Sequence, residues 1–136
     1  MDYEKDDKEL KELAESIIAE SDALAILRDY LHEVRIGYQW SEKKKFKDGG
    51  VVYADCEKVK AKLKEFIEYD FIITFYDSAR ELSENAKRVL MYHELRHVGI
   101  KEASNGDITF YIVPHTLQDF KEIVEKYGMD WELTIK

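Results

Sequence analysis

Residues 70–100 read DFIITFYDSARELSENAKRVLMYHELRHVGI, and a change of hydrophobic period inside this stretch decides the fold class. Phe71-Ile72-Ile73-Thr74-Phe75-Tyr76 is aromatic and β-branched throughout and is bounded by Asp70 and Asp77, the composition of a strand buried on both faces. Further on, Leu82, Ala86, Val89, Leu90, His93, His97 and Ile100 fall at helical spacings and form one apolar stripe. Ser83 is placed to cap that helix, Ala86 to Val98 form its body, and Gly99 is expected to let the chain turn away after it.

The last part of the stretch carries the chemistry. His93-Glu94-Leu95-Arg96-His97 is an HExxH motif. Residues four apart on a helix lie about one turn apart on the same face, so His93 and His97 can aim both imidazoles at one tetrahedral metal ion. Glu94, beside the first of them, can take a proton from a metal-bound water acidified to a pKa of about 7 and pass it to a leaving amine. A surface helix that happens to hold two histidines is the plain alternative. It would place them on the solvated face, whereas here both lie on the apolar stripe.

Outward from this centre, the N-terminal side reads as a long helix from about Lys8 to Glu33, with Leu10, Leu13, Ile17, Ile18, Leu24, Leu27 and Leu31 spaced by threes and fours. Residues 1–7 are expected to be a flexible terminus. Val34 to Trp40 alternates like a strand, and Val51 to Asp55 reads as another. Between them SEKKKFKDGG, with four lysines and a Gly pair, is an exposed hairpin loop, more plausibly solvated than a patch for an acidic partner. A helix is predicted from about Cys56 to Tyr69, with Val59, Leu63, Phe66 and Ile67 on one side. On the C-terminal side the pattern predicts a strand from Ile108 to Val113 broken by Pro114, a helix from Thr116 to Tyr127 ended by Gly128, and a short strand from Trp131 to Ile135. The sum is an α+β domain, helices packed on a small mixed or antiparallel sheet, with residues 1–136 forming a single domain.

Composition narrows the functions. A net charge of −8 disfavours nucleic-acid partners, because an acidic surface repels phosphate. No apolar run is long enough to span a bilayer, and MDYEKDDKEL is acidic where a signal peptide is basic, so a cytoplasmic protein, and a monomer, is expected. Cys56 is the sole cysteine, which leaves His and carboxylate as the only zinc ligands; nothing around it suggests an activated nucleophile.

A catalytic zinc usually has three protein ligands and an open position. His115, Asp119 and Glu122 are the candidates for the third, beside the possibility of none. His115 is the best placed: it follows a strand, adjoins Pro114 at the start of the last helix, and lies far enough after His97 for the chain to cross the sheet and return. His32, in the first helix, reads as a surface or partly buried residue. Asp119, one turn beyond His115, can accept the second ring N–H and fix its tautomer, or be a solvated carboxylate.

The two stretches DFIITFYDSARELSENAKRVLMYHELRHVGI and YIVPHTLQDFKEIVEKYG resemble the small phage metallopeptidases and, more distantly, are similar to SprT-like zincins. The elements that carry the resemblance are His93, Glu94, His97, His115, Asp119 and Phe120. It implies one zinc ion per chain at His93, His97 and His115, with Glu94 as base, in a compact zincin-like fold. Thr116 departs from the aspartate expected directly after the third histidine, which puts the outer support of that ligand in doubt more than the ligand itself.

The leading function from these residues is a zinc peptidase acting on peptide or protein substrates. The alternative is a non-catalytic, zinc-stabilised binding or regulatory module of a phage or mobile element; an intact Glu94 beside the ligands argues against it. Tyr92, Tyr111 and Arg96 are the polar residues nearest in sequence for stabilising an oxyanion, each with an ordinary structural use as well. Trp40, Tyr38, Phe110 and Tyr111 can line a cleft or fill the core. A sheet edge near the metal, formed by 34–40, 71–76 or 108–113, is expected to hold an extended substrate.

Overall fold

The computed structural model describes residues 7–114. The helices are α1 (Lys8–Glu20), α2 (Ala25–Asp29) and α3 (Glu84–Leu95); the strands are β1 (Ile36–Trp40), β2 (Lys45–Lys47), β3 (Gly50–Val52), β4 (Ala54–Lys58), β5 (Phe71–Phe75), β6 (Val98–Glu102) and β7 (Ile108–Ile112). One mixed sheet has the order β1-β5-β4, with β1 parallel and β4 antiparallel to β5, while β2–β3 and β6–β7 are antiparallel hairpins. This is the expected α+β arrangement of helices on small mixed and antiparallel sheets.

The apolar run at 71–75 is the middle strand because only there are both its faces and both its edges covered. Phe71, Ile73 and Phe75 are fully buried, and Ile72 and Thr74 nearly so. The polar Thr74 is tolerated because its hydroxyl accepts a hydrogen bond of 2.9 Å from Gln39 Nε2 on β1. Asp70, also buried, accepts from Arg35 N at 2.9 Å and forms an ion pair with Lys64, so the start of the strand carries no stranded charge. Helix α1 packs on β1 and α3, and α3 packs on β4.

Four expectations are corrected. The long N-terminal helix breaks at Ser21, whose extended backbone (φ −91, ψ 122) ends α1 before a 3-10 turn at Asp22–Leu24. Arg28 folds back onto the freed carbonyls of Ile18 and Ala19 at 2.9 and 3.2 Å, so the break satisfies the helix end. Periodicity missed it because Leu24 and Leu27 are buried on the far side of the break as well. Secondly, the helix expected over 56–69 is absent: residues 54–58 pair with β5 as β4, and Ala61–Leu63 form only a 3-10 turn. Leu63 and Phe66, which suggested a helical stripe, are 38% and 80% exposed. Pairing with β5 outweighed local pattern here. Thirdly, β1 does not form a hairpin with the strand at 51–55, because β5 inserts between β1 and β4. Only a small hairpin, β2–β3, occupies the lysine-rich loop.

The fourth correction concerns Gly99, which lies in β6 rather than in a turn. Its cross-strand partner is Tyr111, and a Cβ at Gly99 would stand 2.6 Å from the Tyr111 ring. The missing side chain is therefore the seat for that ring. Gly99→Ala should displace Tyr111 and lower stability by about 1–2 kcal/mol, read as a fall in Tm; an unchanged Tm would show that the ring contributes nothing there. The strand expected over 108–113 is present as β7. The helix at 116–127 and the strand at 131–135 lie outside the described residues.

Candidate functional site

Helix α3 starts as its sequence requires: the Ser83 hydroxyl accepts from Ala86 N at 3.1 Å, and Ala86, Val89 and Leu90 are buried. It ends earlier than the apolar stripe suggests. Arg96 N still bonds to Tyr92 O at 3.1 Å, but His97 N reaches only Glu94 O, at 3.0 Å, so the last turn tightens to 3-10 geometry and β6 begins at Val98. His97 thus sits where the helix becomes a strand. The end of β7 holds it there: Val113 N donates to His97 O at 2.9 Å.

The side chain of His97 is held by the same residue. Its Nδ1 lies 2.5 Å from Val113 O, and because a carbonyl only accepts, this contact places a ring proton on Nδ1. That Nε2 lies 3.3 Å from His93 Nε2, with the rings nearly perpendicular at 86°. Two imidazole nitrogens bound to one tetrahedral zinc at about 2.0–2.1 Å lie ~3.3–3.4 Å apart. The separation of the two nitrogens matches that spacing, and in the structure the two rings meet there in an N–H···N hydrogen bond. His97 is buried and His93 half-buried, so the pair has one protected and one accessible member.

Glu94 is 5% exposed. Burial pushes its carboxyl up to about 8, the negative charge of Asp55 adds to the rise, and Lys45 opposes it. Those charges come from β4 and the hairpin before it. Lys45 Nζ stands 2.6 Å from Asp55 Oδ2, which also accepts from the Tyr76 hydroxyl at 2.7 Å. Burial first, then this hydrogen bond, pushes the Tyr76 hydroxyl up to about 12, so it stays a donor. Cys56, next along β4, has its thiol held protonated by burial and then by the charge of Glu94. A catalytic thiolate there is disfavoured.

Among the described residues no group of three or more His, Cys, Asp or Glu is gathered to hold a metal. His115, Asp119 and Glu122 lie outside the described residues. His32 is exposed and lines a groove of about 640 Å³ with Val34, Arg35 and Tyr38, away from the HExxH residues. The other polar and aromatic candidates have structural uses: Arg96 donates to Ala23 O at 3.3 Å, Tyr92 is buried, and Tyr111 covers Gly99. Tyr38 is core, Phe110 packs edge-on to Phe71, and Trp40 packs on Phe75 with Arg80 over its ring at 4.4 Å. Of the three possible substrate edges, β5 is interior, while among the described residues β1 and β7 are each paired on one side. Among the described residues β4 is an edge strand packed on α3, with β7 against it as well, which the helical reading of 56–69 concealed; the alternation of Ala54 and Cys56 with Asp55 and Glu57 was its signal.

His93 and Glu94 on the last turn of α3 and His97 just beyond it thus lie together, with Glu94 and His97 buried. The family model described as "Putative phage metallopeptidase" matches residues 1–136, the whole chain, and the chain belongs to that family. None of the curated proteins and none of the solved structures compared with it matches. Among the described residues, no helix is long and apolar enough to cross a membrane.

Proposed function

We propose that the protein is a zinc-dependent peptidase in which His93, His97 and His115 hold one zinc ion and Glu94 is the general base. The observation that carries the reading is the 3.3 Å approach of the two Nε2 atoms, with the outer nitrogen of His97 engaged by Val113 O. His115 is supported by chain connection. The backbone is bonded to His97 at Val113, two residues before His115, so the chain arrives beside the pair. Asp119 is the proposed outer partner of His115, and Glu122 the fallback ligand.

When bound, zinc supplies Lewis acidity that polarises a carbonyl and acidifies water. The chain's own part is proton handling and positioning. Glu94 stands next to His93 in a buried setting; a cation held by the histidines would favour its carboxylate, which can accept a proton and return it to the leaving amine. Val113 O holds the His97 ring where the helix gives way to β6, while His93 is carried on the last turn of α3.

Substrate is held, in this reading, along β4. The bonds Tyr76 N to Tyr53 O and Val59 N to Asp70 O place the inward-facing backbone at odd-numbered positions, so Ala54, Cys56 and Lys58 turn their N–H and C=O groups to the outer edge. An extended peptide can bond to that edge. Chelation is expected to abolish cleavage of a peptide library and added zinc to restore it. Cleavage that persists in chelator would sink the reading.

A further inference from the structure

Between Ser41 and Gly50 the chain carries four lysines against two acids, in a molecule of net charge −8. The fold gives this segment a defined shape. Strands β2 and β3 pair as Lys45↔Val52, Phe46↔Val51 and Lys47↔Gly50 around Asp48 and Gly49, which have φ of 53 and 81. Two successive left-handed residues make the tight turn whose twist suits paired strands. Phe46 and Val51 oppose each other on one face, 64% and 44% exposed. An aromatic and a β-branched side chain in that relation form a ready apolar contact, here with lysines on both sides of Phe46 in sequence.

The base of the hairpin is fastened to the site. Ser41 N bonds to Phe75 O at 2.8 Å and Asp77 N to Lys43 O at 3.0 Å, tying the approach to the end of β5. Lys45 then reaches Asp55 on β4, the strand that packs on α3. The hairpin therefore projects from the edge strand beside Glu94 and carries its apolar pair outward. Among the described residues, Lys43, Lys44 and Lys47 have no carboxylate within ion-pair distance.

We propose that this hairpin is a docking finger for the substrate itself, taking an acidic polypeptide segment that carries an apolar side chain. Phe46 and Val51 pack on the apolar side chain, Lys44 pairs with a flanking carboxylate, and Lys47, which alternates to the opposite face of β2 from Phe46, adds with Lys43 to the basic field of the hairpin. Charge complementarity selects this occupant: the acidic body repels a long polyanion, whereas a short acidic segment meets a hairpin on which four lysines outnumber Glu42 and Asp48, with Lys45 already paired to Asp55. The proposal deepens the peptidase reading and rests on it only for the cleavage of a docked segment.

Binding separates the two. Zinc-loaded, full-length Glu94→Gln protein is titrated, by fluorescence anisotropy, with acidic, neutral and basic pools of short labelled peptides, each with and without a central leucine. The acidic, leucine-containing pool should bind tightest. Phe46→Ser should weaken it about tenfold, and Lys44→Glu combined with Lys47→Glu should erase the acidic preference at low salt. Equal binding of all pools, or binding unchanged by either variant, overturns the proposal. So does displacement of the peptide by a single-stranded oligonucleotide, or a marked fall in Tm for Phe46→Ser, which would mean that the hairpin packs on its own chain. Hairpin-dependent binding without any cleavage by the wild type supports the finger and overturns the peptidase reading alone.

Discussion

Glu94→Gln is expected to keep its zinc and to lose at least about a hundredfold in peptide cleavage, the usual cost of removing a general base. The substitution is nearly isosteric in a position only 5% exposed, so packing around α3 is preserved. What changes is the proton. An amide cannot accept one, whereas a carboxylate can. The measurement is kcat/KM on a peptide library, with zinc content determined on the same preparations. Equal rates for wild type and variant would remove Glu94 from the mechanism, and loss of zinc in the variant would make Glu94 a ligand instead.

His97→Ala is expected to lower zinc affinity by more than the ~10–100-fold typical of losing an outer hydrogen-bonding partner, because a donor itself is removed. It also deletes the contact from Nδ1 to Val113 O, worth about 1 kcal/mol, while the backbone bond from Val113 N to His97 O remains. The variant should therefore stay folded. His93→Ala should reproduce the metal loss without touching the β7 tether, which separates the two roles of His97. Zinc titration against a competing chelator reads both. Wild-type affinity in either variant would show that the histidine pair does not hold the ion.

Much of this site was legible in the sequence because it is local. HExxH needs only the helical period, Ser83 announces the helix start, and the apolar run at 71–75 has the composition of a central strand. Long-range pairing was not legible. Residues 56–69 carry apolar side chains at helical spacing, yet β5 captured 54–58 as its antiparallel neighbour, and that capture brings Asp55 and Cys56 to Glu94. The break at Ser21 was hidden because burial continues across it at Leu24 and Leu27. Gly99 looked like a helix terminator, but what requires it is the Tyr111 ring on the facing strand, which no local pattern encodes. The carbonyl of Val113 escaped notice for a simpler reason: a backbone acceptor leaves no mark in a side-chain motif.

Zinc bound per chain, measured by mass spectrometry of metals on purified wild type and on His115→Ala, tests the central claim most directly. One zinc per wild-type chain is expected, with a sharp loss in a His115→Ala protein that remains folded. A wild type that binds no zinc, or a His115→Ala protein that keeps its full complement, would contradict it.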